Sequence, residues 1–258
     1  MNTLVLYSVA DRVATITINR PEKRNALNPQ LIEALTETFI LASEDDAVKV
    51  VVLKANGDSF SAGADLAYLQ QLQHNTFEEN VTDSNNLKKL FTTIYYLPKI
   101  VIAQVEGHAI AGGCGLATVC DIIFATPESN FGYTEVKIGF VPAIVSCFLK
   151  QKVSETIASE LLLTGKIFNA EQALQYNLIN FVTNANEINQ TVQDFALSLC
   201  KESSGNSLMI TKQLITQTTN PLLEKSLETA VQINARVRES SDFKKGIESF
   251  LNKEKITW

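Results

Sequence analysis

The chain of 258 residues has few of the side chains that bind metal ions or form disulfides. It contains two histidines, His74 and His108, and four cysteines that show no C-x-x-C spacing. Two histidines so far apart do not predict a metal site. Cysteines in apolar surroundings are typical of free thiols in a reducing compartment rather than of disulfides. We therefore expect neither a metal centre nor a disulfide framework.

The sequence also lacks a long apolar run and a basic face. No apolar run approaches the length that spans a bilayer, and the first residues, Met1–Leu4, show no basic region followed by an apolar stretch. The net charge of −6 disfavours nucleic acid, because a phosphate backbone requires a basic face. The expectation is a cytoplasmic enzyme with neither membrane nor nucleic acid as a partner.

What the chain does have is an alternation of strand and helix patterns. Strands are predicted at Leu4–Val9, Arg12–Asn19, Val48–Leu53, Ile100–Val105 and Asp121–Ala125, with helices starting at Pro29 and spanning Glu78–Tyr96. After about residue 150 the patterns are helical, at Val153–Thr164, Asn169–Tyr176, Glu187–Cys200, Ser207–Thr216 and Leu222–Val237, and only Leu178–Val182 resembles a strand. This order predicts an α/β core built on parallel crossovers, followed by a helical tail. The tail must bury its apolar faces on the core or on a neighbouring subunit.

A glycine-rich segment, Gly107–Leu116, follows the predicted strand Ile100–Val105 and leads into a short apolar helix that begins near Gly113. Glycines at such a junction let a ligand approach the backbone and leave amide groups free at a helix N-terminus. Those amides hold either a phosphate or the developing oxyanion of an acyl group. The glycine spacing is not that of a dinucleotide-binding loop, and no lysine follows as in a P-loop. A close packing contact between helix and strand is the non-functional alternative.

Five motifs occur in a fixed order: Asn19–Leu27, Phe60–Leu66, Gly107–Leu116, Phe131–Gly139 and Leu163–Lys166 followed by Ala170 and Ala173. Together they resemble the enoyl-CoA hydratase/isomerase (crotonase) family from about Asn19 to the C-terminus. The resemblance implies an α/β fold, the crotonase-like spiral of β-β-α units with a C-terminal helical trimerisation region. It implies an acyl-CoA-binding core over 1–195 and a helical oligomerisation region over 196–258. A homotrimer or a dimer of trimers is the implied assembly.

The same resemblance assigns roles to residues of the motifs. The backbone amides of Ala64 and Gly112 would form the oxyanion hole for the thioester oxygen of an acyl-CoA substrate. Coenzyme A would enter as part of that substrate, with no tightly bound cofactor. Its phosphates and adenine would lie near Lys23, Arg24 and Ala26 and the loop residues Ala62, Gly63, Asp65 and Leu66, and the pocket would be completed by Phe250 and Lys253, in some relatives from the next subunit.

Glu135 matches the second catalytic glutamate of the family. Its neighbours Phe131, Tyr133 and Val136 predict partial burial, which raises the pKa of a carboxyl group toward a range useful for acid–base chemistry. A surface glutamate that opens a helix is the alternative. Other acids are weaker candidates, since Glu79 and Asp83 lie four residues apart on a predicted helix and are typical of a solvated helix face.

The chain departs from the family pattern at Gly115, where many hydratases carry another glutamate. One carboxylate suffices to move a proton between C2 and C4, so this departure favours an enoyl-CoA Δ3,Δ2-isomerase. The segment Glu135–Ser146 is instead similar to the bacterial methylglutaconyl-CoA hydratase type of leucine degradation, which favours hydration of a short or branched 2-enoyl-CoA. A catalytically inactive CoA-binding oligomer is the third possibility. If the missing carboxylate limits hydration, Gly115→Glu should raise it.

Overall fold

The computed structural model describes residues 4–219, 222–256 and 258. Ten strands are Val5–Ala10 (β1), Val13–Ile18 (β2), Val50–Ala55 (β3), Ser59–Ser61 (β4), Ile100–Val105 (β5), His108–Ile110 (β6), Ile122–Ala125 (β7), Asn130–Gly132 (β8), Ile167–Asn169 (β9) and Phe181–Val182 (β10). The α-helices of these ranges are Pro29–Glu44 (α1), Leu66–Leu72 (α2), Phe77–Tyr95 (α3), Gly112–Thr118 (α4), Ala143–Leu149 (α5), Glu155–Thr164 (α6), Ala170–Gln175 (α7), Ile188–Glu202 (α8), Gly205–Thr219 (α9), Leu223–Val237 (α10) and Ser241–Leu251 (α11). Two short 3₁₀ turns cover Pro21–Lys23 and Glu135–Ile138.

The strands form two sheets, and the chain alternates between them. A six-stranded sheet has the order β1-β2-β3-β5-β7-β10, and a four-stranded sheet has the order β4-β6-β8-β9. The chain passes from β3 to β4, from β5 to β6 and from β7 to β8, and each pair of strands is followed by a helix or helical turn. The predicted α/β spiral of β-β-α units is therefore confirmed.

The β-branched strand β3 shows why the large sheet is buried on both faces. Val50 and Val52 pack against Ile188 and Val192 of α8, whereas Val51 belongs to the main core on the other face. Side chains alternate across a strand, so a continuous apolar run supplies two cores at once. The second sheet was not predicted, because its three-residue strands are too short for a hydrophobic period to be visible.

Local signals at the start of the chain gave correct predictions. The hairpin of β1 and β2 turns at Asp11 and Arg12, which both have positive φ angles of 49° and 68°. Helix α1 begins where Asn28 accepts a hydrogen bond from the Leu31 amide at 2.9 Å, as expected for an N-cap. None of the helices within the described ranges is long and apolar enough to cross a membrane.

The C-terminal helices pack on the core of their own chain. Helix α8 runs across the proposed boundary at 195/196 and covers the large sheet. Helix α10 packs on α3 and α5, and α11 packs on α2 and on the turn Glu135–Ile138. These helices therefore help to build the cavity described next. The oligomerisation assigned to 196–258 stays a prediction.

Candidate active site

One cavity of about 1360 Å³ collects nearly all of the residues assigned to the site by sequence. Its wall includes Lys23, Arg24, Ala26, Ala62, Ala64, Asp65, Leu66, Gly112, Glu135, Phe250 and Lys253. Gly63 lies behind this wall, between two residues that form it. The fold thus brings together residues that are more than 200 positions apart in the sequence.

The backbone amide of Ala64 faces the cavity because the residues on either side of it pair with Leu27. The Leu27 amide donates to the Gly63 carbonyl at 2.6 Å, and the Asp65 amide donates to the Leu27 carbonyl at 2.8 Å. This is the pattern of a parallel bridge, in which the residue between the two bonds, Ala64, turns its own amide the other way. No acceptor for that amide exists among the described residues.

Gly112 supplies a second free amide as the first residue of α4. The preceding residue, Ala111, has a φ angle of +50°, donates to the Gly132 carbonyl at 2.7 Å and accepts from the Gly115 amide at 3.0 Å. The first amides of a helix have no partner within it. In the part of the chain that the structure covers, the Gly112 amide has no other acceptor. A positive φ angle in an alanine costs free energy and often marks a functional site.

Two glycines allow these amides to share one cavity. A Cβ atom at Gly63, where φ is +87°, would lie 2.9 Å from the Ile110 carbonyl oxygen. A Cβ atom at Gly113 would lie 2.4 Å from the Ser61 carbonyl oxygen. Because any side chain would push the loops apart, both positions require glycine. The glycine segment is therefore a close packing contact, and it is also the edge of a cavity.

Glu135 is buried in the cavity wall. It is 6 % exposed and opens the 3₁₀ turn Glu135–Ile138, so it is not the surface residue of the alternative prediction. Two residues earlier, Tyr133 is fully buried, and its hydroxyl lies 2.6 Å from the hydroxyl of Thr118. Among the described residues, the Oε2 atom of Glu135 has no hydrogen-bond partner. Burial raises the pKa of this carboxyl group to about 7.

The cavity opens toward the cationic and loop residues that were predicted to hold coenzyme A. Lys23 and Arg24 are exposed at the end of the first 3₁₀ turn. Phe250, which is 48 % exposed, and Lys253 reach the cavity from the C-terminal part of the same chain. The loop Ala62–Leu66 forms the adjoining wall.

Asp65 holds this loop in place through its carboxylate. The carboxylate caps α2 by accepting from the Ala67 amide at 2.9 Å and forms an ion pair with Arg20 at 2.6 Å. Burial opposes ionisation, but the hydrogen bond and charge of Arg20 outweigh it and lower the pKa of Asp65. The side chain is thus engaged within the protein, which leaves the backbone of the loop for a ligand.

A buried polar network in the same cavity was not predicted. Arg238 of α10 is 5 % exposed and forms an ion pair with Asp83 at 2.7 Å, and Tyr68 donates a hydrogen bond to the same carboxylate. Arg238 also donates to Asn80 at 3.2 Å and to Asn234 at 2.9 Å. The sequence contains one signal for this network, which is the spacing of two polar residues. Asn234 and Arg238 continue the apolar face of α10 at helical intervals.

The remaining acids of the cavity differ from Glu135. Glu22 and Glu254 are exposed, and the carboxylates of Asp65 and Asp83 are ion-paired. Glu79 caps α3 outside this cavity. Among the cavity-lining residues that the structure describes, Glu135 is therefore the one buried carboxylate without a cationic partner.

Comparisons with known proteins find relatives that match most of the chain. The model of the family "Enoyl-CoA hydratase/isomerase" matches residues 9–258. A "Putative enoyl-CoA hydratase" of Thermus thermophilus is 39% identical over 93% of this chain and 95% of its own length. A trans-2-decenoyl-[acyl-carrier-protein] isomerase of Streptococcus mutans is 27% identical over 96% of this chain and 95% of its own. A crystal structure of an enoyl-CoA hydratase from Mycobacterium avium has a TM-score of 0.87 and 32% identity, and the match covers 98% of both chains.

Proposed function

The chain belongs to the enoyl-CoA hydratase/isomerase family, and we propose that it adds water to the double bond of a short or branched 2-enoyl-CoA thioester. The observation that carries this proposal is Glu135, a buried carboxylate with a free oxygen and a pKa of about 7. It lines the same cavity as the free amides of Ala64 and Gly112. Addition of water to the double bond of an enoyl thioester requires a base and an oxyanion site that face the same space.

In the proposed reaction, Glu135 removes a proton from water as the water oxygen bonds to C3. The electron pair of the double bond moves toward C2 and the thioester oxygen, which becomes an enolate oxygen. The amides of Ala64 and Gly112 donate hydrogen bonds to that oxygen, and one such donor typically contributes on the order of 3 kcal/mol. Glu135 then returns its proton to C2, which completes the net addition of one water.

A single carboxylate carries both proton transfers in this scheme. A pKa of about 7 suits that role, because the group then accepts and donates protons with little cost near neutral pH. Burial supports it further, since bulk water does not compete for the carboxylate or for the enolate oxygen. Coenzyme A enters as part of the substrate, with Lys23, Arg24 and Lys253 positioned toward its phosphates.

Isomerisation is the second candidate, and a specific feature favours it. Gly115 is packed under Val145 and Phe91, which leaves no room for another carboxylate at that position. Glu135 alone would remove a proton from C2 of a 3-enoyl-CoA and return it to C4. A relative from Streptococcus mutans, which is 27% identical over 96% of this chain, is named as a trans-2-decenoyl-[acyl-carrier-protein] isomerase.

Within the hydratase proposal, the acyl group is branched or short, and 3-methylglutaconyl-CoA is the specific candidate. It is supported by the similarity of the segment Glu135–Ser146 to hydratases of leucine degradation. We also propose that the active protein is a homotrimer or a dimer of trimers, to which the helices of 196–258 contribute.

The test is to incubate the protein with 2-enoyl- and 3-enoyl-CoA thioesters, including crotonyl-CoA and 3-methylglutaconyl-CoA, and to analyse the products by mass spectrometry. A mass gain of one water supports hydration, whereas double-bond migration without a mass change supports isomerisation. Glu135→Gln should abolish turnover while acyl-CoA binding remains. Glu128→Gln, at an exposed position outside the cavity, is the matched control and should keep full activity. Binding without any turnover across the panel would favour an inactive CoA-binding protein.

A further inference from the structure

Tyr68 and Asp83 lie between the main cavity and a depression of the protein surface. Both residues line the main cavity that contains Glu135, and both also line this depression of about 390 Å³, which is open to solvent. The other residues around the depression are mostly polar: Pro29, Gln71, Asn75, Glu78, Glu79, Thr82 and Asn86. The hydrogen-bonded side chains of Tyr68 and Asp83 therefore form a partition between the active-site cavity and the solvent-filled depression.

Arg238 fixes this partition from the α10 side. Its two terminal nitrogens donate to Asp83 and Asn80 and to Asn234 and Ser84, at distances between 2.7 and 3.5 Å. Its guanidinium also lies 5.4 Å from the ring centroid of Phe140. The Nε atom of Arg238 is buried and has no hydrogen-bond partner within the part of the chain that the structure describes. The charges of Asp83 and Arg238 cancel, and their hydrogen bonds hold them in one arrangement.

Arg238 of this partition is more deeply buried in the main cavity than the cations that were predicted to hold coenzyme A. Lys23, Arg24 and Lys253 are exposed, whereas Arg238 is 5 % exposed. If the phosphates of coenzyme A stay with the exposed cations, the acyl group points inward past Glu135 and toward the partition. An acyl chain of increasing length then approaches Asp83 and Arg238.

A longer apolar acyl group gains little binding free energy by reaching this ion pair. Each buried methylene normally favours binding, because apolar surface leaves water. Next to a hydrogen-bonded ion pair, further methylenes must displace polar groups, and separating two buried charges is strongly unfavourable. Affinity should therefore stop rising once the acyl chain meets the partition.

We propose that the Tyr68–Asp83–Arg238 network is the specificity-determining end wall of the acyl pocket and restricts the enzyme to short acyl groups. This inference rests on the proposed function, because it requires an acyl-CoA in the main cavity. It assigns these residues to acyl-length selection and not to proton transfer.

The test measures the dissociation constants of saturated butanoyl-CoA and octanoyl-CoA by calorimetry, so that no turnover is needed. The double variant Asp83→Leu/Arg238→Met replaces the pair with apolar side chains of similar size, a change that proteins often tolerate. We expect its ratio of octanoyl-CoA to butanoyl-CoA dissociation constants to fall by roughly tenfold or more relative to wild type, as the added methylenes become buried. Tyr68→Leu, which keeps the ion pair, is a second variant that shortens the same wall and should lower the ratio in the same direction.

The matched control is Asp121→Leu/Lys212→Met. This pair is also an ion pair, at 2.7 Å, but neither residue lines the main cavity. Its ratio of dissociation constants should equal that of wild type. An unchanged ratio in folded Asp83→Leu/Arg238→Met or in Tyr68→Leu overturns the inference. A wild-type protein that binds neither thioester overturns the proposed function together with it, whereas a wild-type protein that binds both but turns over none of the enoyl-CoA thioesters of the activity test overturns only the proposed reaction.

Discussion

A Cβ atom added to Gly115 would lie 2.3 Å from Cγ1 of Val145. The ring of Phe91 is also close, with its Cε2 atom at 2.9 Å. The position at which the family resemblance implies a second glutamate in many hydratases is thus bordered closely by side chains from α5 and α3. A glutamate placed here overlaps these side chains unless they shift, so the expectation that Gly115→Glu raises hydration stays a prediction.

We predict that Gly115→Glu lowers the free energy of unfolding by about 2 kcal/mol or more, because it overpacks the core and buries a charge. Adding Val145→Ala should recover part of the stability and raise hydration of crotonyl-CoA above that of the single variant. Urea denaturation and turnover assays measure the two effects. Gly205→Ala is the control, since its Cβ would meet no atom closer than 3.6 Å. A fully stable Gly115→Glu would contradict the packing argument.

The pH dependence of turnover should report the carboxylate of Glu135. A base acts in its ionised form, so activity rises with pH and levels off above about 7, the pKa to which burial raises this group. A pH–rate profile of kcat/KM with crotonyl-CoA measures the acid limb. An acid limb centred below about pH 5, the range of an unperturbed glutamate, would argue against Glu135 as the base.

The same carboxyl group should make stability depend on pH. Its pKa is about 7 in the folded state and 4.5 ordinarily, so the folded state binds more protons between these values. Stability therefore falls as pH rises through this window, by about 3 kcal/mol at most. The free energy of unfolding of Glu135→Gln relative to wild type should therefore rise by that amount between about pH 4.5 and pH 8, as measured by urea denaturation. A gain of the same size in Glu128→Gln would show that another group is responsible.

Gly113→Ala should damage the oxyanion site without touching the substrate. The new Cβ would lie 2.4 Å from the Ser61 carbonyl oxygen, so α4 and the Ser61 loop must separate and the Gly112 amide must shift. We expect kcat/KM to fall by about a hundredfold, the size of effect seen when one oxyanion donor is lost. Gly205→Ala is again the control. A variant that folds and keeps full activity would show that the junction tolerates the displacement.

Cys114 should not react with alkylating reagents in the native protein. Burial raises the pKa of its thiol to about 12, and the thiolate is the reactive form. Mass spectrometry after brief treatment with iodoacetamide should find Cys114 modified only in denatured protein. Cys114→Ala should retain activity, because the thiol has a packing role. Rapid labelling of Cys114 in the folded enzyme would refute this.

Local sequence patterns predicted the parts of the fold that depend on neighbours in the chain. The N-cap at Asn28 follows from short-range rules and was found where expected, and the strand predicted over Val48–Leu53 was found two residues later, at Val50–Ala55. The burial of Glu135 was also predicted, since its flanking aromatic residues are adjacent in sequence. The short strand His108–Ile110 was not, because three residues cannot show a period and form a strand only through pairing with distant segments.

By itself, the sequence determined the family and the alternation of strands and helices, and it predicted a site of one carboxylate and two loop amides. Only the tertiary structure decided that Gly115 has no room for a second carboxylate and that Arg238 meets Asp83, 155 positions away in the sequence. The physical reason is that steric exclusion and charge pairing depend on distances between atoms from separate helices. Such distances arise when α3, α5 and α10 pack together, and no local pattern in the chain contains them.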